Sequence, residues 1–157
     1  MTFLGIWHFS FTVSNVDEAV AFYRDLLGFE VVRRSRNDSE YVRNLVGYPD
    51  AVLEIAQLAA PGTRSGLGDH DLELVQYVTP AGRRSEAEIR NPGESHLAIT
   101  VDDADAAYER LVAAGVRFVS PPNAITTGAN TGGKGCYFRG PDDIVHELVQ
   151  PPWAVRP

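Results

Sequence analysis

HFSFTV at His8–Val13 returns as HLAITV at His96–Val101, an offset of 88, and ELVQ at Glu73–Gln76 returns unchanged at Glu147–Gln150, an offset of 74. Four identical residues in a row beside a second matching pair mark an internal duplication, which fixes how many copies of one supersecondary unit the chain holds. The first match runs past its strand. At the same offset Asp17 falls on Asp105 and Ala19 on Ala107, and each copy then follows a helical pattern toward a glycine, Gly28 or Gly115. The two offsets differ by 14, so the first copy carries about that many extra residues between its landmarks. The segment NDSEYVRNLVGYPD, Asn37–Asp50, suits this insert: it opens with turn formers, contains the helix-like EYVRNLV and closes on Gly and Pro.

Each copy therefore reads as strand, helix and three further strands. In the first copy, alternation predicts a strand over Ile6–Val13, and Val16, Ala19, Val20, Tyr23, Leu26 and Leu27 share one face of a helix over Val16–Leu27. Asn15 or Ser14 can cap that helix and Gly28 can end it. Strands are expected at Phe29–Arg34, Ala51–Leu58 and Asp71–Val78, with a loop over 61–68. In the second copy the expected elements are Ser95–Val101, a helix over Ala104–Ala114, then Arg117–Val119, Gly135–Arg139 and Val145–Val149. Between Arg117–Val119 and Gly135–Arg139 lies a Pro-, Gly-, Thr- and Asn-rich loop, Pro121–Gly133, of a length often kept for function. The expectation is one α+β domain of two tandem βαβββ modules, about 4–79 and 93–150, with the insert at 37–50.

Bulk properties narrow the partners. Among 157 residues, 44% are hydrophobic and 22% charged, so the chain can bury a core. A net charge of −7 offers no basic field for a phosphate backbone, so nucleic acid is not an expected partner. Nothing resembles a signal peptide or a membrane span, which points to the cytoplasm. The single cysteine, Cys136, permits no internal disulfide and reads as a packed side chain.

Four polar residues stand out against this background. In the first strand Phe9, Phe11 and Val13 form an apolar face and leave His8, Ser10 and Thr12 opposite; in its repeat Leu97, Ile99 and Val101 leave His96, Ala98 and Thr100 opposite. Glu73 and Glu147 lie in equally apolar strands, where an uncompensated carboxylate is costly to bury. Two imidazoles and two carboxylates at repeat-related positions suit one divalent cation bound by His8, Glu73, His96 and Glu147. His70 and His146 have no repeat partner and are not expected to be ligands, and His146 should point away from the Glu147 side.

These phrases, with WHFSFTVSNVDEAVAFYRDLLGFEVV, SHLAITVDDADAAYERLVAAGVRFV and GCYFRGPDDIVHELVQ, resemble the vicinal oxygen chelate superfamily over nearly the whole chain. That superfamily includes glyoxalase I, methylmalonyl-CoA epimerase, extradiol dioxygenases and bleomycin-type resistance proteins. The resemblance implies paired βαβββ modules cupped around one metal, with the same four ligands. It also implies a homodimer and a metal-stabilised enolate formed from a small carbonyl substrate, a thioester being one form of it. The ion could be Zn, Ni, Co, Mn, Mg or Fe.

By similarity to the epimerase pattern, Glu54 in VLEIAQL is the catalytic base and Glu147 its opposite number, which makes an epimerase or isomerase the first expectation. A glyoxalase-like lyase would use the same quartet, and Glu73 in place of the epimerases' frequent Gln resembles that branch. An extradiol dioxygenase needs a two-His, one-carboxylate iron site, against which a fourth ligand counts. A drug-binding resistance protein commonly lacks the full quartet, although Trp7, Tyr77 and Trp153 could line an aromatic crevice. Tyr41, Arg43 and Tyr48 on the insert are candidates to cover a pocket.

Overall fold

A computed structural model describes residues 1–62, 68–84 and 88–154. Most of the loop expected at 61–68 lies outside the described residues. The chain separates into two compact units, Met1–Arg84 and Ser85–Pro157. None of its described helices is long and apolar enough to cross a membrane.

Unit 1 runs β1 (Phe9–Thr12), α1 (Val16–Ala21) continued by a π-helical turn (Phe22–Leu26), β2 (Glu30–Asn37), α2 (Glu40–Val46), β3 (Val52–Ala59) and β4 (Leu72–Thr79). Its sheet has the order β1-β4-β3-β2, with β1 and β4 parallel and the other pairs antiparallel. Unit 2 runs β5 (His96–Thr100), α3 (Ala104–Ala113), β6 (Arg117–Phe118), β7 (Asn123–Ala124), β8 (Lys134–Arg139) and β9 (Val145–Gln150). Its order is β5-β9-β8-β6, again with the first pair parallel, and β7 pairs with β8. The fold class is α+β, and both units carry the duplicated order the repeats predicted.

Three boundaries differ from expectation for identifiable reasons. The strand expected from Ile6 begins at Phe9, because the ladder to β4 opens where the Phe9 amide donates to the Asp71 carbonyl at 2.9 Å. His8 therefore sits just ahead of β1. Pairing with β3 carries β2 on to Asn37, the first residue of the expected insert. The rest of that insert forms α2, capped by Ser39, which accepts from the Val42 amide, and closed by Gly47 at φ 78°, a left-handed position that favours glycine. The long loop expected over 121–133 contains the short strand β7.

The ELVQ repeat has a structural meaning that pattern alone did not disclose. Gln76 Oε1 accepts from the Val16 amide at the start of α1, and Gln150 Oε1 accepts from the Ala104 amide at the start of α3, both at 2.9 Å. Each last strand thus holds the first turn of the helix in its own unit, alongside Asn15 and Asp103 as N-caps. Around these ties pack Ala19, Val20, Ala56, Leu58, Leu72 and Leu74 in unit 1, and Leu111, Phe138 and Leu148 in unit 2, all buried. Gln150→Ala should strand a buried amide and lower the unfolding free energy by about 1–3 kcal/mol in urea. Gln150→Glu, which keeps an acceptor, should cost less.

Candidate metal centre

Strand register decides which side chains share a face. In unit 1, Ser10 lies opposite Glu73 on β1 and Gln57 lies opposite it on β3. The Gln57 amide donates to Glu73 Oε2 at 3.0 Å, which fixes one carboxylate oxygen. The other, Oε1, stands 3.7 Å from His8 Nε2. Unit 2 repeats the pattern: Ala98 and Tyr137 lie opposite Glu147, and His96 Nε2 is 3.1 Å from Glu147 Oε2. His8 and His96 each precede the residue opposite the glutamate by two. Each unit therefore presents one imidazole nitrogen and one carboxylate oxygen together, a donor set that fits a divalent cation.

Beside Glu147 a cavity of about 300 Å³ is lined by Val119, Ser120, Asn123, Ile125, Gly135 and Tyr137. Gly135 helps to keep it open, since a Cβ there would lie 3.6 Å from Glu147 Oε1. Burial first, and the charge of Glu147 second, hold the Tyr137 phenol above its ordinary range. On the other face of β8 the Cys136 thiol is buried and pushed up to about 11, mainly by burial and then by Glu147 and Asp105. It is protonated at neutral pH, as a packed side chain should be.

Glu54, expected as a base, lies on β3. It pairs with Gln76 and stands three residues from Gln57, so it lies on the face of the sheet that bears α1 while Glu73 lies on the other. Its carboxylate is engaged by Arg36 at 2.7 Å. The alternation within β3 was readable, but only the β3–β4 register shows which of its faces Glu73 shares. Glu54 and Glu73 therefore project from opposite faces of the unit 1 sheet.

The insert packs on the Glu73 side of the sheet. Val42 and Val46 of α2 pack on Leu53, Ile55, Val75 and Tyr77, residues that share the Glu73 side of β3 and β4. Tyr48 meets Tyr77 edge-on at 5.9 Å, Tyr41 is exposed, and Arg43 buries its Nε with no hydrogen-bond partner among the described residues. Trp7 and Trp153 are also exposed.

His146 is fully buried, points away from Glu147, stacks on Phe138 and donates from Nδ1 to the Ile144 carbonyl at 3.0 Å. His70 has no repeat partner, yet it lies with His8 and Glu73 in a cluster whose ligand atoms fall within 4.8 Å of one another.

Two βαβββ units, each with a His–Glu pair on the sheet side opposite α1 or α3, define the class of paired-βαβββ proteins. The chain belongs to the Glyoxalase/Bleomycin resistance protein/Dioxygenase superfamily, whose model matches residues 5–148. It is 34% identical over 154 residues to a 2-epi-5-epi-valiolone epimerase from Actinomyces sp., covering 95% of this chain and 80% of that one. Among solved structures, a glyoxalase family protein from Bacillus cereus superposes with a TM-score of 0.80 at 23% identity, over 96% of both chains. The antibiotic-binding protein TnmS3 from a Streptomyces species superposes at 0.57 with 24% identity, over 96% of this chain and 98% of that one.

Proposed function

We propose that the two units act as one domain, in which His8, Glu73, His96 and Glu147 hold a single divalent ion, and that the protein is an epimerase of a small ketone. The observation that carries this reading is the His–Glu pair at repeat-equivalent positions in a chain 34% identical to a 2-epi-5-epi-valiolone epimerase. When bound, the ion supplies Lewis-acid stabilisation of the negative charge that develops on a carbonyl oxygen. The remaining work falls to the chain. Inversion next to a carbonyl requires a proton removed from one face of the carbon and returned to the other. Glu147 and its repeat counterpart Glu73 are the carboxylates that duplication relates, and with Glu54 on the α1 face we assign both proton transfers to them. The cavity beside Glu147 offers Ser120, Asn123 and Tyr137 as hydrogen-bonding groups for a polyhydroxylated substrate. A homodimer and a cytoplasmic setting belong to the same reading.

The test is turnover of 2-epi-5-epi-valiolone by metal-loaded protein in D2O. Deuterium should enter the carbon next to the carbonyl as the epimer forms. Binding without exchange would overturn the reading in favour of a ligand-binding protein like TnmS3. Under the same assay Glu54→Gln should retain turnover within a few-fold, whereas Glu147→Gln should lose it by 100-fold or more, the scale of losing positioned acid–base catalysis.

A further inference from the structure

His8 offers two ring nitrogens to two different neighbours. Nε2 faces Glu73 Oε1 at 3.7 Å, and Nδ1 faces His70 Nε2 at 3.0 Å. A single ion cannot take both nitrogens of one imidazole, so an ion shared with Glu73 takes Nε2 and leaves Nδ1 to His70. His70 is itself oriented: its Nδ1 lies 2.7 Å from the Gly68 carbonyl, which can only accept. In the neutral ring the proton therefore sits on Nδ1, and Nε2 presents a lone pair to His8. The order of donation runs from His8 Nδ1–H to His70 Nε2, and from His70 Nδ1–H to Gly68 O.

The surroundings hold this relay still. His70 is only 2% exposed. Trp7 stands edge-on to its ring at 6.4 Å. A Cβ at Gly68 would come within 3.0 Å of Trp7 and 3.2 Å of the His70 ring, so the glycine is what lets these groups close on one another. In unit 2 the residue at the position of His70 is Ile144, and the relay has no counterpart there.

We infer that His70 is a positioning residue: it fixes His8 in the Nδ1–H tautomer and so turns the lone pair of Nε2 toward Glu73 and the ion. Outer partners of this kind orient a ligand and set its tautomer, and their loss typically costs 10–100-fold in metal affinity. The inference rests on the metal-site reading above, and its test is arranged to separate the two. The tautomers of His8 and His70 are read in metal-free protein from ¹⁵N chemical shifts, and Zn²⁺ affinity is read by competition with a chromophoric chelator, in wild type, His70→Gln and His70→Leu.

The expected result is His8 protonated on Nδ1 in wild type and in His70→Gln, whose amide oxygen can still accept. His70→Leu should show the Nε2–H form increased, with Zn²⁺ affinity about 10–100-fold weaker, while Gln stays within a few-fold of wild type. His8 protonated on Nε2 in wild type overturns the inference even if His70→Leu does not fold. So does a Gln variant as weak as Leu, which would make His70 itself a ligand. A wild type that binds no Zn²⁺ defeats the metal-site reading, whatever the tautomer.

Discussion

Protein purified without chelator is expected to carry about one equivalent of a divalent transition metal by elemental analysis, and Glu147→Gln and His96→Ala are expected to lose it. A carboxylate and an imidazole are held 3.1 Å apart in one unit and 3.7 Å apart in the other. Gln57 occupies one oxygen of Glu73 and leaves the other directed at His8. Removing either member of the unit 2 pair halves that unit's donation, and the loss should exceed the 10–100-fold typical of outer partners.

The same ion should be visible in stability. A ligand bound only by the folded state at a thousand times its Kd adds about 4 kcal/mol. Chelation should therefore lower Tm by on the order of 10 °C for a chain of this size, and neither variant should show that shift. Wild-type protein that reconstitutes with no metal, and whose Tm ignores chelator, would remove the basis of the proposed function.

The second large effect concerns acid. Burial, assisted by His96 and opposed by the Ile144 carbonyl, pulls the His146 imidazole down to about 4 from an ordinary 6.5. The unfolded chain thus takes up a proton that the native ring refuses, so stability is full above pH 6.5 and declines as pH falls toward 4. A difference of that size corresponds to about 3 kcal/mol at the acid end. Urea melts between pH 7 and pH 4 should show this slope in wild type, and His146→Phe should flatten it while retaining the ring contact with Phe138. The variant's baseline is expected to be lower at neutral pH, because the Ile144 carbonyl loses one of two donors and keeps only the Gly140 amide. An equal slope in both proteins would show that His146 is not the group responsible.

Much of the architecture was legible because duplication printed it twice. His8 with His96, and Glu73 with Glu147, are recognisable as pairs without coordinates, and so is the surplus that becomes α2. What stayed hidden was whatever has no second copy or depends on register. His70 is unique to the first half, and nothing in GDHDLELV announces that its ring meets His8. Glu54 illustrates the second limit, since counting alternate residues cannot join the faces of two strands whose offset is unknown. The glutamine of ELVQ was visible as identity, but its purpose emerged only when both copies proved to accept from the amide opening a helix.

That tetrapeptide also bears on how such a gene can change length. Glu73 and Gln76 are an odd number of positions apart, so one faces the candidate ligands while the other holds α1, and the same holds for Glu147, Gln150 and α3. Adding or deleting one codon between them would turn one of the two to the wrong side, sacrificing either the carboxylate or the helix tie. Between β2 and β3, by contrast, the first copy has absorbed a whole helix while β3 still pairs with both β2 and β4, with irregularities only at Val31/Arg33 and Val52/Leu53. Viable descendants should therefore vary in length there and keep both tetrapeptides free of gaps.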